Sequence, residues 1–72
     1  MSITTHAVYK MKRRQLDMDE VQRTALYAPR YRTYNDRWAC INKSLVVIVS
    51  DDDHIITCFV GRPGKIRRLT AA

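Results

Sequence analysis

Glycine and proline are scarce in this chain, two of each in 72 residues. So few breakers, with a hydrophobic content of 46%, exclude a disordered composition. Cysteine is equally sparse. Cys40 and Cys58 stand eighteen positions apart in apolar, strand-like surroundings and lack the C-x2-C pairing of a zinc site; buried free thiols are expected, with a disulfide as the alternative, and no metal is expected. The longest apolar run, Leu45–Val49, is far below the roughly 20 residues that span a bilayer. Residues 1–9 have neither the basic start nor the apolar stretch of a signal peptide. A Gly-rich phosphate loop, an H-E-x-x-H pair and a nucleophile elbow are all missing. A small whole protein of the cytoplasm is therefore expected, a single domain with no cofactor and no membrane partner.

Acids are the other scarcity. Thirteen Lys and Arg face seven Asp and Glu, giving a net charge of +6 and a pI near 9.8. Residues 1–16 carry Lys10, Lys12, Arg13 and Arg14 with no acid, and residues 62–72 carry Arg62, Lys65, Arg67 and Arg68 with none. The acids gather instead at Asp17, Asp19 and Glu20 and at Asp51, Asp52 and Asp53. An excess of this kind favours anionic partners, nucleic acid first. The plainer reading, a solvated charged face, stands beside it.

What is present reads as an α+β chain. Thr4 or Thr5 caps a first helix over about residues 5–15, with Ala7, Val8 and Met11 as a narrow apolar stripe. Asp17-x-x-Glu20 resembles a capping box and opens a second helix over 18–28, stopped by Pro29. From Tyr31 the period changes to that of strands, near 31–34, 37–42, 44–50 and 54–60. Leu45–Val49, apolar throughout, belongs at the centre of the sheet with both faces covered. The expectation is two N-terminal helices packed on a three- to four-stranded antiparallel meander. Residues 1–61 form this domain, and 62–72 a basic tail or an extra edge strand. The expected core is Val8, Met11, Val21, Leu26, Val47, Val49, Ile56 and Cys58.

Two groupings carry chemistry. His6, Lys10 and Arg13, at i, i+4 and i+7, share a helix face and can converge on one phosphate. RNA cleavage without a metal needs a base for the 2′-OH, a cation for the phosphorane and an acid for the leaving oxygen. His6 fits base or acid, while Lys10 and Arg13 fit the cation, so these three are the candidate catalytic residues. The alternative is that His6 only caps or packs at the helix start. Tyr27, Tyr31, Tyr34 and Trp38 are interleaved with Arg30, Arg32 and Arg37, as in chains that stack bases beside guanidinium-bound phosphates. The same aromatics equally suit a core. Candidate nucleic-acid contacts are Arg14, Arg32, Tyr34, Arg37, Lys43, Arg62, Lys65, Arg67 and Arg68. Asp51–Asp53 and His54 read as a solvated turn rather than a cation site.

The segment from Thr5 to Arg14 resembles the opening H-A-x-x-R-M-x-x-R of small domains in the RelE/BrnT toxin superfamily. Met18-Asp19-Glu20-Val21 resembles the second helix of that family, closed by Ala28-Pro29. Leu45–Val49, a polar turn and Ile55-Ile56-Thr57 resemble its terminal hairpin, so the likeness covers about residues 4–60. It implies a helical hairpin on an antiparallel sheet and metal-independent RNA cleavage. One departure is Lys10 where the family pattern has Arg, since lysine cannot grip a phosphate in bidentate fashion.

Three readings follow. The first is an RNA-binding, toxin-like endoribonuclease acting on free or ribosome-bound RNA, with growth inhibition as its outcome. The second is a non-catalytic nucleic-acid binder. The third is a small interaction protein of the phage-encoded type that occupies a host protein through its sheet edge or basic tail; an antitoxin is the partner expected under the first reading.

Overall fold

The computed structural model describes residues 2–33 and 36–70. Its elements are β1 (Ser2–Ile3), α1 (Thr5–Arg13), α2 (Met18–Tyr27), β2 (Arg30–Arg32), β3 (Trp38–Asn42), β4 (Leu45–Val49), β5 (His54–Val60) and α3 (Pro63–Thr70). The strands form one sheet in the order β1-β5-β4-β3-β2. The α+β class, the two N-terminal helices and the central place of Leu45–Val49 are as the sequence implies. The sheet is mixed rather than wholly antiparallel, because β1 pairs in parallel with β5, Ser2 opposite His54 and Ile3 opposite Ile55. Two residues offer too little pattern to be read as a strand from sequence.

Local chemistry sets the helix ends. The Thr4 hydroxyl accepts from the Ala7 N–H (3.1 Å) and donates to the Ile56 carbonyl (3.2 Å), so the cap of α1 also ties it to β5. At the far end Leu16 N–H donates to the Met11 carbonyl (2.9 Å) and Gln15 N–H to that of Lys12 (3.2 Å). This is a Schellman ending, with Gln15 at φ 55° where glycine is usual. Asp17 then caps α2 by accepting from Asp19 N–H (3.3 Å).

Every side chain of β4 is buried, and both faces of the sheet are covered. On one face α1 lies along β5 and α2 over β4 and β3, enclosing Ala7, Met11, Val21, Ala25, Cys40, Val47, Val49, Ile55 and Cys58. On the other, Ala39, Val46 and Ile48 are joined by Ile41, Ile56, Phe59 and Ile66. Ile66 belongs to α3, so residues 63–70 form a helix docked on the second face, neither a tail nor an edge strand. Pro63 takes the first helical position, where its missing N–H and fixed φ cost nothing. Gly61 permits the approach, since a Cβ there would lie 3.0 Å from Cγ1 of Ile66.

Three expected core residues are placed differently. Leu26 is 54% exposed, because α2 buries Val21, Thr24 and Ala25 and Leu26 falls off that arc. Thr24 is tolerated inside because its hydroxyl donates to the Glu20 carbonyl (2.8 Å). Val8 is half-buried beside the arc of Ala7 and Met11. Ile56 is half-buried on the second face, where a register shift pairs Ile48 with Thr57 but Val49 with Ile55. Cys40 and Cys58 are buried and free, and burial pushes both thiols up. Both lie opposite Val47, one on each side of β4, hence about 10 Å apart and beyond disulfide reach.

The Schellman ending generates a prediction. Gln15→Gly should stabilise the fold by about 0.5–1 kcal/mol, because the left-handed conformation strains a residue with a Cβ. Thermal unfolding would show a rise of roughly 2–8 °C. A fall would mean that the Gln15 side chain contributes more than its backbone strain removes.

Candidate nucleic-acid interface

The carboxylates that form ion pairs do so at one corner of the sheet. The β4–β5 turn is held by Ser50 N–H to His54 carbonyl (2.9 Å) and Asp53 N–H to Ser50 carbonyl (3.0 Å), with Asp53 at φ 61°. It carries Asp51 and Asp53 to the arginines of β2. Arg32 Nη1 donates to Asp51 Oδ1 (2.8 Å), Trp38 Nε1 donates to the same oxygen (2.9 Å), and the Arg32 guanidinium covers the Trp38 ring at 4.8 Å. Asp36 adds a looser contact to Arg32 (3.7 Å). Arg30 Nη1 reaches Asp53 (3.3 Å) and its Nη2 donates to the Ala25 carbonyl (3.0 Å) near the end of α2. The Asp51–Asp53 turn, which by sequence looks merely solvated, is thus an anchor for β2. Among the described residues no three His, Cys, Asp or Glu side chains converge as a metal site.

Of the aromatic and arginine interleaving of residues 27–38, Arg30, Arg32 and Trp38 are spent in this corner. Arg32 is committed to Asp51 and Trp38. Arg37 is half-buried; its backbone N–H donates to the Thr33 hydroxyl (3.1 Å), closing the loop, and its guanidinium forms no ion pair among the described residues. Tyr34 lies outside the described residues. Tyr27, 81% exposed, lines a groove of about 580 Å³ with Asp17, Glu20, Arg23, Pro29 and Asn42. Lys43, at φ 57° in the β3–β4 turn, lines a second groove of about 300 Å³, again with Asp17 and Glu20. Neither groove includes His6, Lys10 or Arg13.

Those three stand on α1. With Ala7 and Met11 buried, the outer flank presents His6, Lys10 and Arg13 in one row, His6 and Arg13 exposed and Lys10 half-buried. The His6 imidazole has no hydrogen-bond partner among the described residues. The same row holds Tyr9, which is absent from the candidates the sequence suggests. It is 56% exposed, and its hydroxyl accepts from Arg13 Nη1 (3.4 Å). Its i+3 spacing from His6 was the available signal. Arg14 reaches back to the sheet, where its Nη1 donates to the Cys58 carbonyl (2.6 Å), so its guanidinium is partly committed to β5.

Arg62, Lys65, Arg67 and Arg68 are exposed on or beside α3, with Lys65 Nζ over the Phe59 ring at 4.5 Å. The structure therefore does not gather the candidate residues into one pocket. It sets two acid-free helices on opposite faces of the sheet, both against β5, whose second half is an edge because β1 pairs no further than Ile55.

The corner makes a pH prediction. The hydrogen bonds from Arg32 and then Trp38 hold the Asp51 carboxyl below the usual carboxylate range. A depressed carboxylate contributes stability that is present above its ordinary pKa and lost as pH falls through the folded value. Wild type should lose stability on acidification below about pH 4, and Asp51→Asn should flatten that limb in a pH series of thermal melts. An identical limb in the variant would assign the acid loss to other carboxylates.

A scan against protein-family models, a search of the curated proteins and a search of the solved structures each return no match for this chain. The resemblance to RelE/BrnT domains accordingly rests on the motif residues alone.

Proposed function

We propose that this chain is an RNA-binding domain of the RelE/BrnT-like kind, holding the phosphate backbone with α1 and α3. The observation that carries the reading is the partition of charge. All ion pairs among the described residues involve Arg30 or Arg32, at the β2 corner. Lys10, Lys12 and Arg13 on α1, and Arg62, Lys65, Arg67 and Arg68 at α3, have no carboxylate partner among the described residues. Cations that the fold leaves out of ion pairs break none to meet a phosphate, whereas Arg32 would first have to leave Asp51.

A second reading, metal-independent cleavage, is favoured by one feature: an unpartnered, exposed imidazole at His6, among the described residues, in line with Lys10 and Arg13. In that reading His6 moves the proton and the two cations neutralise the phosphorane. A protein partner, whether antitoxin or host protein, finds no comparable support in the charge pattern.

Salt dependence tests the binding. Replacing Arg62, Lys65, Arg67 and Arg68 with Gln should leave the fold intact and reduce the slope of log Kd against log salt by up to about 3, roughly 0.7 for each phosphate of a single strand that is no longer neutralised. An unchanged slope would remove α3 from the interface. For cleavage, His6→Ala should lower the rate by about 10²–10⁴-fold with little change in melting temperature, given that His6 is exposed. Purified protein that never cuts free or ribosome-bound RNA would remove the nuclease reading and leave the binder.

A further inference from the structure

Resting on the RNA reading above, we propose that Tyr9 is a base-stacking residue and that α1 takes single-stranded RNA with an unpaired base on the Tyr9 ring. His6, Tyr9, Lys10 and Arg13 fall at i, i+3, i+4 and i+7, the spacing of a single helix face. Ala7 and Met11 anchor the other side of the same helix in the core, so this face is held outward by the packing of the domain. Tyrosine is a weaker helix former than the lysines and arginines around it, and at 56% exposure it gains only part of the stabilisation of burial. The Arg13 guanidinium meets its hydroxyl at the ring's edge, which leaves a ring face for a ligand.

The other exposed tyrosines are placed less well. Tyr27 shares its groove with Asp17 and Glu20, which repel a phosphate chain. Tyr31 stands between Arg30 and Arg32, and both guanidiniums are already held by Asp53 and Asp51. Among the described residues, Tyr27 has one unpaired cation beside it, Arg23, but in a groove shared with two carboxylates, whereas Tyr9 stands among Lys10, Lys12 and Arg13 on a helix without acids. A planar ring beside free cations binds a base by its face and the adjoining phosphates by charge, without reading sequence. In a duplex the bases are stacked inward and Tyr9 has nothing to receive.

The test uses the full chain and a pyrimidine-rich RNA oligonucleotide with 2-aminopurine at its centre, single-stranded or annealed to its complement. Tyr9→Leu keeps a good helix former and removes the ring, while Tyr9→Phe keeps the ring and removes only the hydrogen bond with Arg13. The single strand should bind wild type and Tyr9→Phe alike, with quenching of the 2-aminopurine. Tyr9→Leu should bind roughly 5- to 150-fold more weakly and lose the quenching. Unchanged circular dichroism and melting of Tyr9→Leu would assign that loss to the ring. Equal affinity and quenching with Tyr9→Leu overturns the stacking role and leaves the RNA reading standing. A wild-type complex without quenching overturns the stacking role whatever the variants do. Tighter binding of the duplex also overturns it. Wild type that binds neither form at low salt overturns the RNA reading itself.

Discussion

A strand of five apolar residues in the middle of a 72-residue chain imposes a requirement on everything around it: both of its faces must be kept from water. Burying a Val, Leu or Ile side chain is worth about 1.5–3 kcal/mol, and leaving one face of β4 open would forfeit that for Val46 and Ile48. The N-terminal helices cover one face. The second face is why residues 63–70 coil into α3, since an isolated helix of that length is marginal in water and needs a surface to rest on. Ile66, joining Ile56 and Phe59 over Val46 and Ile48, provides the contact. The position of the basic C-terminal segment thus follows from the apolarity of β4, and with it the placing of cations on both sides of β5.

Electrostatics follows the same economy. The domain is strongly basic, and its own carboxylates are not spread evenly among its cations. Asp51 and Asp53 sit on a turn that the sheet brings to β2, where they pair with the arginines of a three-residue edge strand. Exposed ion pairs contribute little individually, but Arg32, Asp51 and Trp38 form a connected set of hydrogen bonds and a ring contact. The structural task uses Asp36, Asp51 and Asp53 at one corner, Asp17, Asp19 and Glu20 stand at the start of α2, and α1 and α3 are left without acids. A net charge of +6 therefore becomes a local field along α1 and α3, not a uniform one.

Much of this was legible in the sequence, for identifiable reasons. Helix ends were marked by Thr4, Asp17 and Pro29, and strands by long apolar or β-branched runs, so α1, α2, β3, β4 and β5 emerge within two residues or so. What escaped was set by tertiary contact. β1 exists because Thr4 N–H and hydroxyl find carbonyls on β5. The shift at Ile56 is a property of strand pairing, invisible in a run that reads Ile55-Ile56-Thr57. Leu26 reads as core by type, yet the arc of α2 is chosen by Val21, Thr24 and Ala25 together. At the candidate site, the row of His6, Lys10 and Arg13 was visible as a spacing, whereas the diversion of Arg32 to Asp51 needed the fold. Tyr9 gave only its spacing from His6, because nothing in the sequence separates an exposed tyrosine on α1 from one packed beneath it.

Openness decides how the α1 row works. A pair of unit charges 4 Å apart interacts by about 1 kcal/mol in water and about 4 kcal/mol at the lower effective dielectric of a protein surface cleft. Lys10 and Arg13 stand on a convex helix outside both grooves, so alone they act near the weaker limit. Enzymatic rate enhancements begin at about 8 kcal/mol of transition-state stabilisation, which a few solvent-facing charges do not supply. Binding asks for less: several phosphate contacts and one stacked base sum to useful affinity while each remains exposed. On the RNA reading proposed above, the α1 row needs no further enclosure to bind. For a nuclease it becomes sufficient only when the RNA and whatever carries it close over His6, exclude water and strengthen each charge that the helix already presents.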